Sequence, residues 1–485
     1  MVASLEPMVP VLAPTSCREQ WRLWLSEARA QLGLMLPLAT GQIINYALTF
    51  VTLHIVAGSG TSAVASVGLA LALYTCLGRN LIMGLCGAVD TISSQAAGAG
   101  RKDLLGPIFR RSSCFLLLHL IPFSLLCISC LFWLPLVTDP AVGRATSKFL
   151  LLLIPDLATQ CIWRPMNRVL ASQQITCPFM IVSFLVLLCH YGFSVSLVPR
   201  FGPLGAAVAT SCSGCMTLVF GALAVWCVGA GPTIWGGHCT PAAMKQAGAG
   251  WGSLASLAYP SAAMRMLESS GFSGIVTSSA LLPSPKIEVD VMSLSLNVYG
   301  CFFTLFPAIS VCADTRVGNA IGKGMPVEAK RAMRVAAMLT FPFTIAVSMV
   351  FAIPQCRMLL DQMVHVDALD PRVAQGLNTA YLIFVCGFYC IDGLQTALSG
   401  AIRGTGQQKT GARICVLAYW LLGIPAALTL GFACGLKSTG LWLGMLVGPM
   451  VQLILYTRLL QTMNWDEVAG GCEQRLRRDE EIEGD

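Results

Sequence analysis

DGLQTALSGAIRGTGQQKTGAR, residues 392–413, follows directly on the apolar run YLIFVCGFYCI and closes in a Gly-rich, basic turn. An acid at the middle of a membrane helix costs roughly 2.5–3.5 kcal/mol on insertion scales, so Asp392 has to face something other than lipid. Tyr389, Asp392, Thr396, Ser399 and Arg403 recur at steps of three or four, which gathers the polarity on one helix face. Such a stripe faces a cavity or a partner helix. Here it reads as the lining of a pathway.

The surroundings agree. The chain has 485 residues, of which 55% are hydrophobic and 11% charged, whereas soluble domains carry about 25% charged residues. The apolar runs are long and continuous, which excludes the short alternating segments of a β-barrel. The fold class expected is an all-α polytopic membrane protein. Most of the 21 cysteines sit inside apolar runs, where Cys acts as a small hydrophobe. CISC at 127–130 and CSGC at 212–215 have redox or zinc spacing, but neither has a second ligand pair.

Spans of roughly 20 residues centre within 32–57, 64–88, 113–137, 147–168, 177–198, 204–229, 249–281, 289–313, 333–355, 375–402, 411–433 and 438–460. That makes twelve transmembrane helices. Basic residues collect in alternate connections: Arg101, Lys102, Arg110 and Arg111 in one, Arg316, Lys323, Lys330 and Arg331 in another. The positive-inside rule then places both termini in the cytoplasm. Residues 1–31 read as a cytoplasmic tail in which Ser16 and Glu19 form a capping box and Trp21, Trp24, Leu25 and Ala28 suggest an interfacial helix. Residues 461–485 read as a second cytoplasmic tail, charged enough to be expected disordered.

An internal repeat divides the rest. VDTISSQAAGAGRKDLLGPIFRRS from Val89 matches ADTRVGNAIGKGMPVEAKRAMRV from Ala313, Asp139-Pro140 recurs as Asp370-Pro371, and RVLASQQITCP echoes AIRGTGQQKTG. Six spans per copy is even, so two pseudo-symmetric six-helix lobes run parallel. The first covers 32–229 and the second 247–460, with a linker at 230–246. Repeats of this kind build a cleft that opens to either side in turn.

Glu268 and Asp392 are the intramembrane acids of the second lobe, and a carboxylate in such a cavity can take up and release a proton as its solvation changes. The competing reading is structural neutralisation, for which Arg265 lies one turn from Glu268. Asp90 and Asp314 precede Gly-rich turns at cytoplasmic helix ends and are expected to bond the turn backbone or to pair with Arg316 and its equivalents. Gln42, Asn45, Thr49 and Thr52 make a polar stripe on the first span. Arg79 in the second span must snorkel, pair or line water. Pro155 and Pro165 are expected to kink the fourth span, and Pro425 the eleventh. His54, His119 and His190 lack metal-ligand spacing, and no nucleotide-binding loop, catalytic triad or nucleic-acid patch is visible.

VDTISSQAAGAGRKDLLG, MLESSGFSGIVTSSALLPSPKIEVDVMSLSLN, DTRVGNAIGKG, LQTALSGAIRGTGQQKTGA and the AYWLLGIP that follows resemble the multidrug and toxic compound extrusion (MATE) family, in its eukaryotic, plant-like branch. The resemblance implies a cation antiporter of twelve helices, exchanging protons, or sodium, for organic cations, xenobiotics or secondary metabolites. Glu268 and Asp392 would form the protonation site, and Asn297 and Tyr419 would join Gln42, Asn45, Tyr389, Thr396 and Ser399 in the substrate cavity. No cofactor or metal is expected, no nucleic-acid partner, and no enzyme activity. A monomer in a plasma or vacuolar membrane is expected. Departures exist. Where the family usually reads LEWWSFE this chain reads LESSGFS, placing Ser269, Ser270 and Ser273 in those positions, and Cys415 replaces an Asn. Arg79 and Arg265 are also unusual, as ion-pair modulators of the acids or as a sign of an anionic or zwitterionic substrate. Rival readings are a flippase for lipid-linked anions, a major-facilitator protein, a channel, an intramembrane enzyme, or an uncoupled paralogue.

Overall fold

The structure, a computed structural model, describes residues 16–235, 250–363 and 369–484. Most of the expected linker therefore lies outside the described residues. The long helices are α1 (Cys17–Ala57), α2 (Thr61–Gly98), α3 (Lys102–Val137), α4 (Pro140–Ser172), α5 (Cys177–Phe201) and α6 (Pro203–Cys227) in the first half. The second half has α7 (Trp251–Ser278), α8 (Pro285–Gly322), α9 (Pro326–Ala352), α10 (Pro371–Gly404), α11 (Gln408–Ala433) and α12 (Lys437–Thr462). Eleven of these, among the described residues, are long and apolar enough to cross a membrane. The twelfth, α7, has the length but carries Arg265, Glu268 and a run of serines. Twelve spans and two lobes agree with the reading from sequence.

Helix starts follow the repeat. Asp139 Oδ1 accepts from the Ala141 and Val142 amides at 2.9 and 3.1 Å, and Asp370 accepts from the Arg372 amide at 2.9 Å. Each Asp-Pro pair is thus an N-cap followed by a proline whose missing N–H needs no partner. The capping box at Ser16 and Glu19 is formed, and the helix it starts continues without interruption into the first span. Backbone irregularities fall in α2, α10 and α11. π-helical turns occupy Tyr74–Arg79 in α2, Phe384–Phe388 in α10, and Val416–Gly423 and Thr429–Ala433 in α11. α4 is interrupted at Leu153, just before Pro155.

The lobes meet most closely at the end that carries the basic connections. There the second half of α2 crosses α8 through small residues. A Cβ on Gly98 would lie 2.1 Å from the Asn319 carbonyl oxygen, and one on Gly322 would lie 2.1 Å from that of Gln95. Side chains tie the same end together. Thr91 Oγ1 donates to the Arg403 carbonyl at 2.8 Å, Gln95 Nε2 to that of Gly404 at 2.9 Å, and Asn319 Nδ2 to that of Ser172 at 3.2 Å. Arg316 crosses from α8 to ion-pair with Glu27 on α1. Toward the far end the Tyr46 hydroxyl only reaches the Asn297 carbonyl at 3.5 Å. The side-chain ties between the lobes gather at the basic end.

The C-terminal segment overturns an expectation. Residues Trp465–Gly484 form a helix, α13, rather than a disordered tail. Trp465, Cys472 and Leu476 are buried, a stripe at helical spacing that docks against α8 and α9. Asp466, Glu467, Glu473, Arg477 and Arg478 stay exposed on the other side, while two charges beside the stripe make contacts. Arg475 Nη2 donates to Gln95 Oε1 at 3.2 Å, and Glu480 ion-pairs with Arg101.

Candidate substrate and coupling site

The polar stripe of α10 is buried as its spacing requires: Asp392 and Gln395 are fully buried, and Thr396 and Ser399 nearly so. A buried carboxylate must be hydrogen-bonded. Asp392 accepts from the Tyr299 hydroxyl of α8 and from Gln395 Nε2 at 2.8 Å. The same Gln395 nitrogen lies 3.4 Å from Glu268 Oε1 on α7. One amide therefore bridges the two acids. Behind Asp392, Tyr299 stacks on Tyr389 at 5.2 Å and on Phe272 at 5.6 Å, with Phe388 and Trp442 closing the cluster.

About three turns from Asp392 toward the basic end, Arg403 fans out its guanidinium. Nε meets Asp314 Oδ2 at 3.2 Å, Nη1 reaches Ser399 Oγ at 3.1 Å and Nη2 reaches Ser310 Oγ at 2.8 Å. The first lobe repeats the motif, with Arg168 Nε of α4 at 3.2 Å from Asp90 Oδ1 of α2. This corrects the assignment of Asp90 and Asp314 to a cytoplasmic turn. Both lie inside their helices, which run on to Gly98 and Gly322, and both are buried. Their partners are arginines of α4 and α10, while Arg316 is taken by Glu27.

Two clefts open between these groups. The second-lobe cleft, about 600 Å³ of open space, is walled by Glu268, Arg265, Thr396, Ser399 and Arg403, with Asp90 and Arg168 from the other lobe. The first-lobe cleft, about 630 Å³, is lined by Gln42, Asn45, Arg79, Arg164 and Arg168 among others. Arg168 and Val311 belong to both, so the clefts adjoin.

The MatE family profile matches residues 37–195 and 260–429, well over half the chain. The chain belongs to the MATE family. Protein DETOXIFICATION 12 of Arabidopsis thaliana is 30% identical over 445 residues, covering 91% of this chain and 90% of its own. Protein DETOXIFICATION 13 of the same plant is 29% identical over 467 residues, covering 94% and 92%. The crystal structure of the eukaryotic MATE transporter AtDTX14 superposes with a TM-score of 0.85 at 28% identity, covering 93% of this chain and 99% of that one. An outward-facing multidrug resistance MATE family transporter of the MOP superfamily shares the fold at a TM-score of 0.76 and 15% identity, over 93% and 98% of the two chains. The protein is thus a multi-pass membrane transporter of an efflux family.

Within this MATE fold the expected site residues divide. Glu268, Asp392, Thr396 and Ser399 come together, as do Gln42 and Asn45 in the other lobe. Asn45 Nδ2 is spent on the Gly41 carbonyl and on Ser183 Oγ, each at 2.8 Å. Tyr389 and Tyr419 are fully buried and sit in or against the aromatic cluster rather than on a cleft wall. The Asn297 side chain is exposed; the residue of that helix that reaches Asp392 is Tyr299, two positions on. Arg265 makes no ion pair within 4 Å among the described residues, and its buried Nε has no hydrogen-bond partner, so no direct salt bridge joins it to Glu268. The serines that stand where the family has tryptophans turn back onto carbonyls of α7, Ser269 onto Met266 and Ser270 onto Leu267. Sequence reasoning missed Tyr299, Gln395, Arg164 and Arg168. For Gln395 a signal existed: it lies one turn from Asp392 on the same face.

The bridging amide yields a test. Gln395→Leu should lower exchange by about ten-fold, the scale of one lost charge-assisted hydrogen bond, and should add little in a Glu268→Gln background. Fully additive losses in that double-mutant cycle would show that the amide acts apart from Glu268.

Proposed function

We propose that this MATE protein is a proton-coupled antiporter that exports small organic solutes by alternating access, organic cations and secondary metabolites being the class implied by the resemblance. The observation that carries this reading is the Glu268–Gln395–Asp392 bridge beside an inter-lobe cleft. A glutamine amide donates through nitrogen to a carboxylate and, turned over, accepts through oxygen from a protonated acid. It therefore stays bonded whichever acid holds a proton. Two ionised carboxylates so close repel each other, and a bound cation or proton relieves that repulsion. Cargo and proton then compete for one site, which is the logic of antiport.

The positive-inside rule supports placing the basic end in the cytoplasm, and the tight Gly98 and Gly322 crossing there supports reading the conformation described here as outward-open. From that side protons load the acids and displace cargo; after the lobes swing, the acids discharge inward and capture the next molecule. A plasma or vacuolar membrane fits this direction of transport.

Purified protein in proteoliposomes with an imposed pH gradient tests the reading, using uptake of a fluorescent organic cation. Gradient-driven uptake is expected in the wild type, and Glu268→Gln and Asp392→Asn are each expected to lose it. Uptake that persists in both variants would move the coupling site elsewhere, with Asp90 the next candidate.

A further inference from the structure

We propose that Tyr299 is a positioning residue for proton uptake: its hydroxyl grips Asp392 while that acid is ionised, slackens when the acid is neutral, and passes the change into the packing of four helices. This rests on the coupling reading above and assigns the part that turns a proton into movement. An ionised carboxylate only accepts hydrogen bonds. Asp392 has a donor on each oxygen, Gln395 Nε2 on Oδ1 and the Tyr299 hydroxyl on Oδ2. The groups facing it are Glu268 and Arg265 from α7, Tyr299 from α8, Gln395 from its own helix and Tyr419 from α11. Once Asp392 takes a proton, the bond to the hydroxyl loses its charge assistance, whichever oxygen carries that proton. If the oxygen is Oδ2, the hydroxyl has to turn and accept, and its own hydrogen needs another acceptor. The hydroxyl has no second partner among the described residues, and a buried donor left without one is costly.

The ring carries the change outward. Tyr299 stacks on Phe272 of α7 and Tyr389 of α10, and its centroid lies 5.9 Å from that of Trp442 of α12. All four rings are buried, and interiors packed this closely transmit small shifts. The first lobe contains a twin of the pair. Tyr74 of α2 donates to Asp156 of α4, and both are buried. The repeat that sets Asp90 against Asp314 carries Tyr74 to within one residue of Tyr299. The spacing that sets Arg168 against Arg403 likewise carries Asp156 to within one residue of Asp392. The surroundings differ. Asp156 faces two cations, Arg79 and Arg164, whereas Asp392 faces a second acid, Glu268. Opposite charges hold a carboxylate in its ionised form, and a like charge lets it titrate. The second-lobe tyrosine is therefore the working one, and Tyr74 is its fixed copy.

Tryptophan fluorescence of the purified protein in detergent, followed across pH, tests this without any cargo. Each protein is differenced against the same protein carrying Trp442→Phe, which isolates the ring beside Tyr299. The wild type is expected to give a pH-dependent Trp442 signal. Asp392→Asn should lose it, and so should Tyr299→Phe, which keeps the ring and removes only the hydroxyl. Tyr74→Phe removes the same bond from the twin and is expected to keep the signal. In proteoliposomes, Tyr299→Phe should lower gradient-driven uptake of the fluorescent cation about ten-fold or more, the scale of a lost charged hydrogen bond, and Tyr74→Phe should not. Thermal unfolding of each variant separates a lost signal from a lost fold. The proposal is overturned by a wild type without the signal, by a signal or coupled uptake that survives Tyr299→Phe, or by equal losses in Tyr74→Phe. Loss in Asp392→Asn with retention in Tyr299→Phe would sink this assignment alone, whereas a signal that survives Asp392→Asn would remove the coupling reading itself.

Discussion

Gly322→Val is expected to abolish transport while leaving each lobe folded. The added Cβ would sit 2.1 Å from the Gln95 carbonyl oxygen of the other lobe, and 2.9 Å from its carbon. No flexible side chain is there to give way; the neighbour is backbone. Overpacking costs about 1–3 kcal/mol even in cores that can relax, and the remaining valine methyls make it worse. The easiest relief is for the lobes to part at that end. A bias of about 3 kcal/mol shifts a two-state balance more than 100-fold, so the outward-open state would be nearly emptied. Gly98→Val, facing the Asn319 carbonyl at the same crossing, should do likewise. Proteoliposome exchange gives the rate, and thermal unfolding in detergent shows whether the lobes are intact. Wild-type exchange by Gly322→Val would mean that closure at the basic end is not part of the cycle.

Asp314→Ala should be among the most destabilising single changes in the protein. Asp314 is completely buried, and it is the carboxylate partner of Arg403. Removing it strands a largely buried guanidinium with two serine hydroxyls, Ser310 and Ser399. Breaking such a pair from one side costs about 3–5 kcal/mol, while replacing both partners by apolar groups is often close to neutral. The double variant Asp314→Ala, Arg403→Leu is therefore expected to recover much of the loss. Unfolding in detergent by heat or denaturant measures both. A single variant no less stable than the double would show that the pair is hydrated rather than buried. The Asp90 and Arg168 pair should behave in the same manner, since it repeats the geometry at the same 3.2 Å.

How far the sequence disclosed this depends on what each signal measures. The twelve spans were legible because lipid demands unbroken apolar length, a demand local to each helix. α7 was legible in spite of Arg265 and Glu268, since its polar residues are few and spaced. Asp392 declared itself by being costly where it stands. Tyr299 did not, because an aromatic in an apolar run looks the same whether it faces lipid, core or an acid; only the rotation of α8 against α10 decides. The glycines after Asp90 and Asp314 resemble helix ends in sequence, whereas in the structure they serve the inter-lobe crossing and both acids lie inside their helices. Their arginine partners lie on other helices, yet the echo of RVLASQQITCP in AIRGTGQQKTG already held one arginine in each copy. The C-terminal helix was lost to a count of charges that ignored the spacing of Trp465, Cys472 and Leu476.

That last helix bears on how the protein is handled at the bench. It leans its apolar side on α8 and α9 of one lobe and reaches Gln95 and Arg101 of the other with Arg475 and Glu480. It is a strap across the joint, and the joint cannot flex at that end without letting one side of it go. An affinity tag or fluorescent protein fused behind Asp485 would hang its weight on the strap. Turnover measured on such a fusion would report the tag together with the transporter.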